Sequence, residues 1–131
     1  MLLLFGVAQL VPYRITNPST NDEPSWTSAT GRQLVVESCY DCHSNQTSSH
    51  WYTKVAPLSW WTANHVKQGR AALNFSEWST TRHRRNLAGS VAEGGMPPSY
   101  YTWFGRHANA KLTTAQKTQL MDELRAVAAQ G

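Results

Sequence analysis

The apolar positions of this chain fall into one unbroken run at the amino terminus and, further on, into stripes at helical spacing. Met1 to Pro12 (MLLLFGVAQLVP) is apolar apart from Gln9, and Tyr13, Arg14 and a polar stretch follow it. Asn17 to Trp26 (NPSTNDEPSW) holds two prolines, two asparagines and two acids, which predicts an extended linker. A helix is predicted from near Thr30, with Leu34, Val35 and Ser38 leading toward His43, and Ser44 to Ser49 (SNQTSS) reads as loop. Leu58 to Leu73 has few breakers and repeats Leu58, Trp61, Val66, Ala72 and Leu73 at helical spacing. Gly69 is expected to end or bend that helix.

Asn74 or Ser76 is expected to cap a further helix running toward Glu93, with Trp78, Leu87 and Val91 as core positions. Gly94-Gly95-Met96-Pro97-Pro98 must form a loop. Thr113 or Thr114 caps a closing helix, and Thr113 and Gln116 stand at capping-box spacing. Its stripe of Leu120, Leu124, Val127 and Ala128 recurs at i, i+4, i+7 and i+8. No alternating strand pattern of useful length is present. The expected fold is all-α, in three stretches: residues 1–13 an apolar segment, 14–28 a linker, and 29–131 a helical domain.

Inside the first long helix stands Cys39-Tyr-Asp-Cys42-His43, the attachment signature of c-type haem. Two thiols three residues apart on one helical turn can each form a thioether to a haem vinyl group. The histidine that follows then serves as the proximal iron ligand. Cys39 and Cys42 are the only cysteines, so no thiol remains for a disulfide framework. A thioredoxin-like redox pair belongs near a βαβ pattern, and none is visible. Half a zinc site needs a second pair of closely spaced ligands, whereas His50, His65, His83 and His107 are scattered singly. One covalent haem c is the expected cofactor.

Composition adds little to this. With 131 residues the chain suits a single small domain, whose modest core a haem would enlarge. Six tryptophans and five tyrosines suit a haem pocket, and equally an ordinary core. The net charge of +4 is small, without a long basic stripe, and two propionates would cancel about half of it. Nucleic acid is not an expected partner.

The amino-terminal run has two readings. About eleven apolar residues make roughly 16 Å of helix, short of a bilayer core. They form either the tail of a longer signal anchor or a short segment packed on protein or lipid. No basic residue precedes the run and no Ala-x-Ala cleavage site follows it. The anchor is favoured, because haem is attached to this motif outside the cytoplasm and export needs a signal. Tyr13 and Arg14 suit a membrane interface. The expected location is periplasmic or otherwise extracytoplasmic, with the chain anchored at its N-terminal segment.

A helix entering Cys-x-x-Cys-His, a methionine loop beside proline and a closing amphipathic helix together resemble a monohaem cytochrome c. The likeness narrows along Pro24-x-Trp26, Cys39-Tyr-Asp-Cys-His-Ser-Asn-Gln-Thr47, Trp51-Tyr52 and Ala56-Pro57-x-Ser59-Trp60. It continues through Gly69-Arg70, Leu73-Asn74-Phe75-Ser76-Glu77-Trp78 and Glu93-Gly94-x-Met96-Pro97-Pro98-x-x-Tyr101. These stretches are similar to the bacterial haem-binding domain family and cover nearly the whole chain after residue 17. The resemblance implies a small, anchored or exported protein folded as a cytochrome c-like helical domain around one c-type haem. One departure stands out: where the family tends to read Trp-Pro-Trp-Tyr, this chain has Ser49-His50-Trp51-Tyr52.

The sixth iron ligand decides what such a haem does. Met96 is the leading candidate, since glycines before it and prolines after it give a tight, stiff loop. Met121 lies on the last helix, where packing is its natural role. Trp60, Trp61, Tyr52, Arg70 and Tyr101 are candidate donors to the propionates. A backbone carbonyl within Val55 to Leu58 is the candidate acceptor for His43 Nδ1. His65 is expected to pack in the core, His50 to neighbour the haem edge, and His83 to lie on a solvated face within Arg82-His83-Arg84-Arg85; His107 has no special claim. The expected function is one-electron transfer with His43 and Met96 as iron ligands, to redox partner proteins or a membrane electron-transfer complex, without enzymatic turnover. The alternative is a gas- or peroxide-reactive sensor or enzyme with an open or displaceable distal site.

Overall fold

The computed structural model describes residues 1–81 and 86–130, and of residues 104 and 105 the backbone only. Among the described residues five α-helices follow one another: α1 (Leu2–Ala8), α2 (Ala29–His43), α3 (Leu58–Ala72), α4 (Leu87–Ala92) and α5 (Thr114–Ala128). Short 3-10 turns lie at Trp51–Lys54, Trp78–Thr80, Ser99–Gly105 and Ala108–Ala110. Among the described residues the extended backbone pairs only at an isolated bridge between Asp22 and Glu77. The all-α expectation holds.

Local chemistry sets the ends of α2. Ser28, in extended conformation, accepts from the Gly31 amide at 2.9 Å and caps the start. At the other end Ser44 turns extended, and its hydroxyl donates to the Tyr40 carbonyl at 2.9 Å, satisfying a last-turn acceptor. The chain therefore leaves its helix immediately after His43. α5 opens on the expected capping box: Gln116 N–H donates to Thr113 Oγ1 at 3.2 Å, and Thr113 N–H donates to Gln116 Oε1 at 2.9 Å.

The core lies where α2, α4 and α5 meet. Leu34, Val35 and Tyr40 from α2 pack with Phe75, Trp78, Ala88 and Val91, and with Leu120, Leu124 and Val127 from α5. Phe75 and Trp78 stack with centroids 5.8 Å apart, and Tyr40 stacks on Phe75 at 5.7 Å. Glu123 is buried in the same face of α5 and is tied to the start of α2. Its carboxylate accepts from Thr27 N–H and Thr27 Oγ1, both at 2.6 Å, and from Ser28 Oγ at 3.1 Å.

Two expectations are corrected. No single helix runs from Asn74 toward Glu93. The Asn74 carboxamide accepts from Ser76 N–H and donates to Asn45, and a 3-10 turn at Trp78–Thr80 follows. α4 begins only after Asn86, whose left-handed φ of 62° interrupts helical geometry. Residues 82–85, with His83, lie outside the described residues. Gly69 does not end α3, which continues to Ala72. The segment expected to be a linker is fastened to the domain: Asn17 bonds Thr47 through both its amide nitrogen and its oxygen, and Asn21 N–H donates to Ser76 O at 3.0 Å.

Candidate functional site

α2 delivers His43 against α3. Its Nδ1 lies 2.9 Å from Gly69 O and 3.1 Å from Leu73 O. Both neighbours are carbonyls and can only accept, so Nδ1 carries the proton and Nε2 keeps the lone pair. Burial pushes the imidazole below its usual pKa, and the two carbonyls oppose that only in part. The ring is thus a neutral imidazole with one nitrogen spoken for, the state in which histidine ligates a metal. The expected acceptor within Val55 to Leu58 is corrected to Gly69 and Leu73. The backbone of Ala56 is instead taken by Gln9, which accepts from its N–H at 2.9 Å and donates to its carbonyl at 3.2 Å.

Cys39 and Cys42 are unpaired, with no disulfide between them. Burial, above all, pushes the Cys39 thiol up to about 12 and the Cys42 thiol up to about 11. Both are therefore protonated at neutral pH, unlike the acidic thiolate of a redox-active pair. Cys39 packs against the core, whereas Cys42 opens onto a cleft of about 490 Å³. That volume is in the range of small-molecule and cofactor sites.

The cleft wall is mainly apolar and aromatic. Leu58, Trp61 and Val66 of α3 face Pro98, Tyr100 and Trp103 across it, with Ile15 of the linker alongside. Leu58 and Trp61, apolar positions of the helical repeat, are about half exposed and serve the cleft. His65 also lines it, with Nδ1 held 2.9 Å from Trp61 O, rather than packing in the core. On the cleft wall His50 Nε2 is buried without a hydrogen-bond partner, and Trp60 Nε1, which does not line the cleft, is buried and unpartnered as well. A flat apolar cofactor with peripheral acceptors fits this combination of an apolar cleft, an adjoining thiol pair, a ligand-ready imidazole and orphaned polar atoms.

Other expected site residues have different employment. Arg70 is committed to protein: its guanidinium donates to Ser44 O and Thr16 O at 2.7 Å, Thr47 Oγ1 at 2.9 Å and Asn17 Oδ1 at 3.0 Å. It binds the linker to the loop after His43, and these bonds occupy most of its donors. Tyr101 OH donates to Asp41 Oδ2 at 2.8 Å, and Tyr52 OH lies 2.9 Å from His107 Nε2. Both tyrosines still line the cleft. Met96 does not line it: the residue is 42 % exposed, its N–H bonded to Ser90 O at 3.0 Å, while Pro98 at the end of its loop reaches the cleft.

His107 escaped the sequence reading, and the structure gives it neighbours. Its ring stacks on Tyr101 at 3.9 Å, meets His50 edge-on at 4.9 Å and places Nδ1 3.4 Å from Asp41 Oδ2. Burial, with His50 and Arg106 nearby, holds it below the usual imidazole value although Asp41 pulls the other way. No local signal marks a histidine recruited from 64 residues beyond His43. The one hint was the family departure at His50.

Compared with known proteins, residues 3–126 match a family model described as a haem-binding domain. No curated protein and no solved structure gives a match.

Proposed function

The chain belongs to the haem-binding domain family, and on that premise we propose that it is a single-haem c-type cytochrome carrying single electrons outside the cytoplasm. The observation that carries this reading is His43, its Nδ1 fixed on Gly69 O and Leu73 O, next in sequence to a thiol that opens on the cleft. Bound haem supplies a ferric–ferrous couple, which exchanges one electron without substrate turnover. Cys39 and Cys42 would hold the cofactor as thioethers, each S–H adding across one vinyl double bond. His43 offers Nε2 as proximal ligand, and the two carbonyls behind it increase its basicity. Leu58, Trp61, Val66 and Pro98 exclude water from the cleft. Trp60 and Tyr52 are the proposed donors to the propionates, with the unpartnered Trp60 Nε1 as the support.

Met96 is the proposed distal ligand. Met1 is fully exposed and Met121 packs against the core, whereas the Met96 loop ends at the cleft in Pro98. Delivering the thioether requires that loop to turn inward from its exposed position. The proposed partners are redox proteins or a membrane electron-transfer complex. No described helix is long and apolar enough to cross a membrane. The exposed leucines of α1, Leu2, Leu3 and Leu4, are the proposed lipid contact, as part of an anchor.

A second reading has an observation of its own. Met96 stands outside the cleft wall while His65 and Tyr100 stand in it, as in a distal site open to peroxide, nitric oxide or carbon monoxide. Optical spectra in both redox states separate the two. Met96→Ala should remove the weak near-red sulfur-to-iron band of the ferric protein, lower the potential and let carbon monoxide bind the ferrous form. Wild-type ferrous protein that already binds carbon monoxide supports the second reading. An unchanged Met96→Ala spectrum beside an altered His65→Ala spectrum makes His65 the ligand.

A further inference from the structure

We propose that Asp41, His50 and His107 form a second metal site, which takes one divalent first-row transition ion of the zinc class at the wall of the cleft. A carboxylate oxygen and one nitrogen from each imidazole already lie within 4.8 Å of one another. Tetrahedral zinc, with ligand bonds of about 2.0–2.2 Å, needs its donors roughly 3.3 Å apart. Side-chain adjustment closes the difference, with Asp41 Oδ2 and His107 Nδ1 already at 3.4 Å. Two imidazoles and one carboxylate select zinc or copper over magnesium or calcium, which prefer all-oxygen sites. Three protein ligands leave a fourth position for water.

The surroundings supply what such ligands need. Asp41 is oriented by Tyr101 OH at 2.8 Å and Ser48 N–H at 2.8 Å, each donating to a different carboxylate oxygen. With a metal on Nδ1 of His107, the ring proton sits on Nε2 and donates to the Tyr52 hydroxyl oxygen 2.9 Å away. His50 Nε2 is buried without any hydrogen-bond partner, so it is a donor atom in search of an acid. His107 holds a left-handed φ of 48°, a costly conformation for a non-glycine residue that clusters at functional positions. Arg106 is a cationic neighbour, and its guanidinium lies over the Tyr52 ring at 4.6 Å and the Trp51 ring at 5.4 Å. None of the three residues is a proposed haem ligand, but all three line the cleft proposed for the haem, so the two groups would be neighbours.

The test is calorimetric titration of the full-length, haem-loaded protein with zinc chloride. One zinc per chain is expected, with His50→Ala and His107→Ala each weakening binding more than tenfold. Tyr52→Phe should weaken it roughly tenfold, as loss of a partner behind a ligand does. Should either alanine variant fail to fold, carbethoxylation of wild-type protein read by peptide mass takes its place. Zinc should then protect His50 and His107 while leaving His65 reactive. No heat beyond dilution, undiminished binding by both alanine variants, or zinc bound with His50 and His107 still reactive would overturn the proposal.

Discussion

The Nδ1–H of His43 donates to the carbonyl of Gly69 at 2.9 Å, so a glycine of α3 orients the last residue of α2. The same glycine lets the two helices touch. A Cβ at position 69 would run into the carbonyl oxygen of Cys42 and approach its Cβ at 3.1 Å. That oxygen is backbone and cannot swing away. Alanine in a helix interior is ordinarily favoured over glycine by about 1 kcal/mol, but here the collision decides the sign. Gly69→Ala should destabilise by about 1–3 kcal/mol, read as a lowered denaturant midpoint, and should disturb the spectrum of the proximal ligand. Gly95→Ala, whose Cβ would meet Ser90 O at an ordinary 3.5 Å, should be close to neutral.

Arg70 should matter for folding rather than for propionate binding. Its removal leaves the Ser44 carbonyl without a donor, in a residue that is fully buried, and removes the bonds to Thr16 O and Asn17 Oδ1. Arg70→Ala is expected to cost about 1–3 kcal/mol for the stranded acceptor alone. Arg70→Lys should restore little, since an ammonium cannot reproduce the planar fork. Urea titration measures both. A stability loss under about 0.5 kcal/mol, the ordinary scatter of surface substitutions, would show that the fork holds nothing together.

Acid should loosen the seam between α2 and α5. Burial raises the Glu123 pKa, but hydrogen bonds from Thr27 and Ser28 outweigh it and hold the group below its ordinary value of 4.5. A depressed folded-state pKa stabilises above the unfolded value and loses that contribution as pH falls through the folded one. The effect should therefore be complete at pH 7 and fade below 4.5. Glu123→Gln should lose about 1.5–3 kcal/mol at neutral pH, the worth of hydrogen bonds to a charged group. The gap to wild type should shrink in acid. A gap independent of pH would assign the cost to packing.

Two truncations separate anchor from fold. Deletion of residues 1–12 removes the exposed apolar helix together with the Gln9 contact to Ala56. It should release the protein from membranes while leaving a haem-loaded domain. Deletion of residues 1–18 also takes Ile15 from the cleft wall and Thr16 and Asn17 from Arg70. It should lower the thermal midpoint further. Sedimentation with membranes and thermal melts report the two effects independently, and equal melts would show the linker to be passive.

Elements set by neighbours in sequence were legible without the fold. The Thr113–Gln116 capping box, the stripe of Leu120, Leu124 and Val127, and the helix entering Cys39 and Cys42 depend on residues three to eight apart. Helical geometry fixes such spacings wherever the helix lies. The break at Asn86 was not legible, because a left-handed residue looks like any other asparagine until its neighbours claim its backbone.

The sequence by itself determined that two thiols and an imidazole share one helical turn, and hence the class of cofactor. Only tertiary packing decided how that imidazole is held, since Gly69 and Leu73 reach His43 from 26 and 30 residues away. Packing likewise took Arg70 for the linker, turned Leu58 and Trp61 outward onto a cleft, and gathered Asp41, His50 and His107 from three separate segments. Local spacing sets which side chains share a face. Which faces meet depends on chain closure over tens of residues, and no local pattern records it.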